Sequence, residues 1–139
     1  MNYDLERFIA AQKRDYTMAL QEIKNGCKSS HWMWYIFPQI SGLGRSLIAK
    51  KYEIVDLGEA KAYVENTYLR NNLIEISRAL LECGIDNAED IMGFPDNLKL
   101  CSSMTLFEMA APDIQEFGMV LNKFYGGKRD KRTIELAKE

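Results

Sequence analysis

His31 is the only histidine of the chain, and it stands at the head of a segment, Ser29-Ser30-His31-Trp32-Met33-Trp34-Tyr35-Ile36-Phe37-Pro38-Gln39, that also holds both tryptophans. On a helix, His31 shares a face with Trp34 and Tyr35, three and four residues on. An imidazole beside flat aromatic walls suits a site that holds a planar ring and moves a proton. Trp32 and Trp34 would sandwich such a ring, with Gln39 at its polar edge. The competing expectation is plain burial: a histidine satisfied by carbonyls, and tryptophans that supply core area. A Cys27–His31 pair is not expected, because Gly26 ends one helix just before Cys27 and the cap of the next stands before His31.

Two further stretches carry chemistry. In Gly42-Leu43-Gly44-Arg45-Ser46 the glycines let the backbone approach a ligand, and Arg45 and Ser46 add donors at a helix start, an arrangement suited to phosphate. A turn closed by a capping serine would use the same residues. In Lys99-Leu100-Cys101-Ser102-Ser103-Met104-Thr105, Lys99, Ser102 and Ser103 fall on one helix face. Hydroxyls among large apolar neighbours cost free energy unless bonded. They either line a polar pocket that grips an oxyanion or bond back to carbonyls one turn earlier. A Ser nucleophile served by Lys99 would reverse the Ser-x-x-Lys order of known enzymes. Glu6, in the first turn of a helix, is an acid that could orient water, or a solvated residue favoured by the helix dipole.

The elements that must position these groups are helical. Leu5, Phe8, Ile9, Gln12, Tyr16, Ala19, Leu20 and Ile23 repeat at three and four residues, which predicts a helix over 4–25 with Gly26 just beyond it. Ser29 or Ser30 would cap a second helix carrying the aromatics and stopping before Pro38. Ser46 caps a short third. Residues 53–56 form an extended connection and 59–65 a short helix. Thr67 caps a longer one, with a stripe of Leu69, Leu73, Ile76, Leu80 and Leu81 closed by Gly84. Residues 86–92, the run from Pro95 to Met109, 113–125 before Gly126-Gly127, and a last helix capped by Asp130 complete the chain. No stretch alternates with period two. The expectation is a single all-α domain over 1–139, with about seven helices packed irregularly and not as an up-down bundle.

At 139 residues, 47% hydrophobic and 27% charged, the chain is long enough for one substantial core. A net charge of −2 supplies no overall basic field for nucleic acid. No apolar run approaches the roughly 18 residues that span a membrane, and residues 1–4 do not read as a signal peptide. Three scattered cysteines and one histidine give no zinc framework and favour reduced thiols in a cytoplasm. No metal and no cofactor is expected. Oligomeric state is not encoded legibly.

Nearly end to end, the chain resembles a bacterial domain-of-unknown-function family (number eighteen-ten, an Rv-type conserved hypothetical family whose members are often labelled calpastatin). The resemblance lies in Asp4-Leu5-Glu6-Arg7-Phe8 with Ala11-Gln12, His31-Trp32-Met33-Trp34 with Phe37-Pro38-Gln39, Gly42-Leu43-Gly44-Arg45-Ser46, Leu98-Lys99-Leu100 with the run from Ser102 to Phe107, and the stretch from Phe124 to Gly127 with Asp130. It implies an all-α domain and supplies no function. The calpastatin label does not suit a compact, aromatic-rich chain. A second likeness is to the NADAR proteins, helical N-glycosidases acting on ADP-ribose-type or aminopyrimidine ribose phosphates. Glu6-Arg7-Phe8-Ile9-Ala10-Ala11-Gln12-Lys13 looks like their Glu-His-aromatic segment, with Arg7 in place of the histidine.

Together these readings point to an enzyme acting on a nucleotide or ribose phosphate, by N-glycosidic cleavage. Glu6 or His31 would be the acid or base, and Arg45, Ser46, Lys99, Ser102, Ser103 and Thr105 would hold phosphate. The alternatives are a non-catalytic module for a small anionic or nucleotide-like ligand, and a protein-interaction domain.

Overall fold

Capping side chains fix where most of the helices begin. Ser46 Oγ accepts from Ala49 N (3.1 Å), Asp56 Oδ1 from Glu59 N (2.9 Å), Asn66 Oδ1 from Leu69 N (3.1 Å), Asn87 Oδ1 from Asp90 N (3.2 Å) and Asp130 Oδ2 from Thr133 N (3.0 Å). Each bond satisfies a first-turn N–H that has no partner within the helix. The structure, a computed structural model, describes residues 2–138. Among them are nine helices: α1 Glu6–Lys24, α2 Met33–Ile36, α3 Leu47–Tyr52, α4 Leu57–Glu65, α5 Thr67–Glu82, α6 Ala88–Met92, α7 Asp96–Ala110, α8 Gln115–Tyr125 and α9 Lys131–Ala137. The all-α expectation holds, with nine helices where about seven were expected; the surplus is in short elements, since α2 and α6 are only four and five residues long. The only β pairing among the described residues is one parallel bridge, Ile40 to Ile54.

Every helix contributes to one hydrophobic core. Helix α7 packs on α4, α6, α8 and α9, whereas α1 packs on α5 and α2. Leu100, Ser102, Ser103, Met104, Thr105, Leu106 and Phe107 are all buried, so α7 is enclosed on most sides, as a helix without a polar face must be.

The aromatic segment is the clearest departure. The only helix it forms is the four-residue α2, and neither Ser29 nor Ser30 caps it. Glu22 of α1 claims both serines: its Oε1 accepts from Ser29 N (2.8 Å) and Ser30 N (3.0 Å), and its Oε2 from Ser30 Oγ (2.6 Å). Trp32 Nε1 donates to the same Oε1 (2.9 Å). A carboxylate already fixed on a formed helix outcompetes a nascent turn for these donors. Burial opposes ionisation of Glu22, but the Ser30 hydroxyl, the Ser29 N–H, the Trp32 indole and the Ser30 N–H outweigh it and hold the carboxyl down at about 2.

A carboxyl depressed from 4.5 to about 2 contributes stability fully present above pH 4.5 and lost as pH falls toward 2. Glu22→Gln is therefore expected to cost about 2 kcal/mol at neutral pH, from weakened charge-assisted bonds. It should also flatten acid unfolding, followed by circular dichroism, in that window. An unchanged acid limb would refute the role of this carboxylate.

Smaller shifts of boundary have equally local causes. Asn66, one residue before the expected Thr67, caps α5. Its amide oxygen reaches the N–H of the third residue on, as a cap requires. Gly126, at φ +61°, closes α8 in the left-handed region, where a residue without Cβ is unstrained.

Candidate functional site

The bridge between Ile40 and Ile54 sets one wall of the main cavity. Ile54 N donates to Gln39 O and Ser41 N to Ile54 O, both at 2.8 Å, which fixes the backbone that follows α2. Gly44 then passes so close to α3 that a Cβ on it would lie 2.6 Å from the Ala49 Cβ. The glycine thus serves close packing of loop on helix. The opposite wall is the first half of α7, and the floor is the end of α8 with the loop into α9.

Between them lies a half-open cavity of about 530 Å3, lined by Trp34, Gln39, Leu43, Gly44 and Ala49 on one side and Pro95, Leu98, Lys99, Cys101 and Ser102 on the other, with Tyr125, Lys128 and Asp130 below. Its size falls in the range of small-molecule sites, and its lining is mainly apolar with a few polar groups. Trp34, Gln39, Lys99 and Ser102, drawn from separate stretches singled out in the sequence, meet here.

The other sequence-selected residues lie elsewhere or act indirectly. Glu6 is exposed at the start of α1, His31 is exposed before α2, and both stand outside this cavity. Trp32 is wholly buried, held by Glu22 with the Lys28 ammonium 4.9 Å from its ring centre. It is therefore core and not a second wall opposite Trp34. Arg45 and Ser46 are exposed, and the Ser46 hydroxyl is spent on its cap. Ser103 is fully buried, and its Oγ has no partner among the described residues.

Thr105, also fully buried, donates to Cys101 O (2.8 Å) and accepts from Asp130 N (2.9 Å). It positions the loop that carries Asp130. Ser102 Oγ lies 3.3 Å from both Leu98 O and Asp130 Oδ2. Both hydroxyls thus follow the back-bonding habit of helical Ser and Thr, and both also reach across to Asp130. A second brace comes from Arg129, whose Nε and Nη2 grip Glu108 at 2.8 and 2.5 Å while Nη1 donates to Gly127 O (2.6 Å). This two-pronged geometry anchors residues 127–130 on α7.

Electrostatically the cavity offers two cations and one acid. Lys99 Nζ is 3.7 Å from Asp96 Oδ1, whereas Lys28 holds the other Asp96 oxygen at 2.9 Å. Lys28 is nearly buried and is the tighter partner, so Lys99 remains loosely held beside the cavity. Lys128 is exposed at the rim. The Cys101 thiol is raised by burial and by the charge of Asp130, so it stays protonated at neutral pH and is a poor nucleophile. Asp130, Tyr125 and Lys128 were not picked out as site residues by sequence reasoning. Asp130 was visible only as a helix cap, and nothing in its spacing tells that the same carboxylate borders a cavity.

No helix among the described residues is long and apolar enough to cross a membrane. The family model described as "Protein of unknown function (DUF1810)" matches residues 2–137. A solved structure, the conserved hypothetical protein Rv1873 from Mycobacterium tuberculosis, is 43% identical to this chain over 99% of it and 98% of that chain, with a TM-score of 0.95. No match is found among curated proteins.

Proposed function

We propose that this chain, which belongs to the family of proteins of unknown function DUF1810, binds a small, flat, anionic ligand of nucleotide-like character in the cavity between α7, α8 and the loop after α2. The observation that carries this reading is the meeting of Trp34, Gln39, Lys99 and Ser102 at one opening. Trp34 offers a face for stacking. The Gln39 side-chain amide, which has a donor and an acceptor side by side, can pair with the edge of a base. Lys99 and Lys128 favour a phosphate or carboxylate.

Binding without turnover is the better-supported form. The N-glycosidase reading relies on Glu6 and His31 as acid or base, and neither is among the residues that line the cavity, whereas proton transfer needs the acid or base within hydrogen-bond reach of the ligand.

Isothermal titration with AMP, ADP-ribose, indoleacetate and inorganic phosphate tests the reading, with chromatography for released base alongside. Saturable binding of at least one of the flat anions is expected. Trp34→Ala and Lys99→Ala should each weaken it about tenfold, the scale of one lost stacking or charge contact. His31→Ala and Glu6→Ala should leave affinity unchanged. If none of the flat anions binds, or if the Trp34 and Lys99 variants bind as well as the native protein, the reading falls.

A further inference from the structure

The one carboxylate in the cavity is mounted in a way that says what part of a ligand it meets. Asp130 caps α9, and every side-chain bond it makes falls on a single oxygen. Oδ2 accepts from Thr133 N (3.0 Å), Thr133 Oγ1 (2.6 Å) and Ser102 Oγ (3.3 Å), while Asp130 N is tied to Thr105 Oγ1 (2.9 Å). The carboxylate therefore cannot swing away. Its second oxygen, Oδ1, takes no part in these bonds, although the residue lines the cavity.

A bare carboxylate oxygen repels an anion, so a ligand's charged group must lie toward Lys99 and Lys128, and whatever meets Oδ1 must donate. The neighbouring groups have the same polarity. The single proton of Ser102 is directed to Leu98 O or Asp130, which leaves lone pairs on its oxygen. The Tyr125 proton goes to Asn97 O, so its oxygen also only accepts. The α9 end of the cavity thus presents adjacent acceptors, close to two cations that disfavour an ammonium.

Neutral, paired donors beside an anion are what a sugar diol supplies. Building on the ligand-binding reading above, we propose that Asp130 Oδ1 and Ser102 Oγ accept the vicinal hydroxyls of a ribose, which makes the ligand a ribonucleotide. Trp34 stacks the base, Lys99 and Lys128 hold the phosphate, and the diol sits between.

The test is titration of AMP, deoxyadenosine monophosphate, dideoxyadenosine monophosphate and indoleacetate against the native protein and Asp130→Asn. Asparagine caps helices as well as aspartate does, so this variant keeps α9 while losing the charge, and thermal melting checks that it stays folded. The native protein is expected to bind AMP about tenfold more tightly than either deoxy analogue, and Asp130→Asn to lose most of that preference. Equal affinity for the three sugars overturns the ribose assignment, as does a preference that survives in Asp130→Asn. Binding of indoleacetate but not AMP also overturns it, while leaving the cavity's ligand-binding role intact. If none of the four binds, the ribose assignment and the broader reading fall together.

Discussion

Replacing Arg7 with methionine is expected to lower the stability of the fold by about 3–5 kcal/mol, the cost of stranding a buried charge. Glu59 is 1% exposed, and Arg7 is its partner through Nη1 to Oε2 at 2.8 Å and Nη2 to Oε1 at 3.3 Å. The same guanidinium donates from Nε to Lys51 O (2.8 Å), from Nη2 to Glu53 O (2.7 Å) and from Nη1 to Asp4 O, and it lies 4.2 Å over the Phe8 ring. One side chain thus ties α1 to the end of α3 and the start of α4. A planar fork can serve these acceptors together, and an ammonium cannot, so Arg7→Lys should recover only part of the loss. Urea unfolding midpoints measure the effect. The double variant Arg7→Met/Glu59→Met should regain most of it, because no charge is then left unpaired. A single variant within about 0.5 kcal/mol of the native protein, the usual range of a surface substitution, would show that the pair is not stabilising in this way.

The second large effect separates the two tryptophans. Trp32→Ala is expected to cost about 3–5 kcal/mol, as for other fully enclosed aromatics truncated to a methyl group. The residue is completely buried, its indole anchors Glu22 and its ring packs 6.3 Å from that of Phe37. Trp34, two residues on, borders the open cavity. Trp34→Ala should cost only about 1 kcal/mol in stability, since less area is lost and no enclosed void is made. Denaturant melts paired with the ligand titration give both readouts. The expected result is a stability loss with Trp32→Ala and an affinity loss with Trp34→Ala. Reversed phenotypes would mean that the cavity is packing space and that the buried indole is the ligand's neighbour.

The closeness of these two residues in the chain explains why the candidate site was only half legible. In the segment His31-Trp32-Met33-Trp34 every side chain is large, so hydrophobic pattern offers no way to tell the inward from the outward face. The choice is made by Glu22, ten residues earlier on α1, which pulls Trp32 inward and leaves Trp34 at the cavity. The same limit applies on α7. Spacing correctly placed Lys99 and Ser102 on one side, but it also offered Ser103, which the fold buries completely. Arg7 shows the reverse case. The likeness to N-glycosidases set it where those enzymes carry histidine, and its contacts are those of a tie between helices.

What the sequence determined by itself were properties decided within one turn of chain. The all-α class, the caps at Ser46 and Asp130 and the glycine after α8 all rest on bonds between residues three to six positions apart. What only the tertiary structure decided was which polar groups meet. The cavity gathers residues from 34–49, 95–102 and 125–130, and Ser102 and Thr105 reach Asp130 across 28 and 25 positions. Such meetings depend on how helices pack, and helical periodicity says which face a residue occupies without saying what that face will touch.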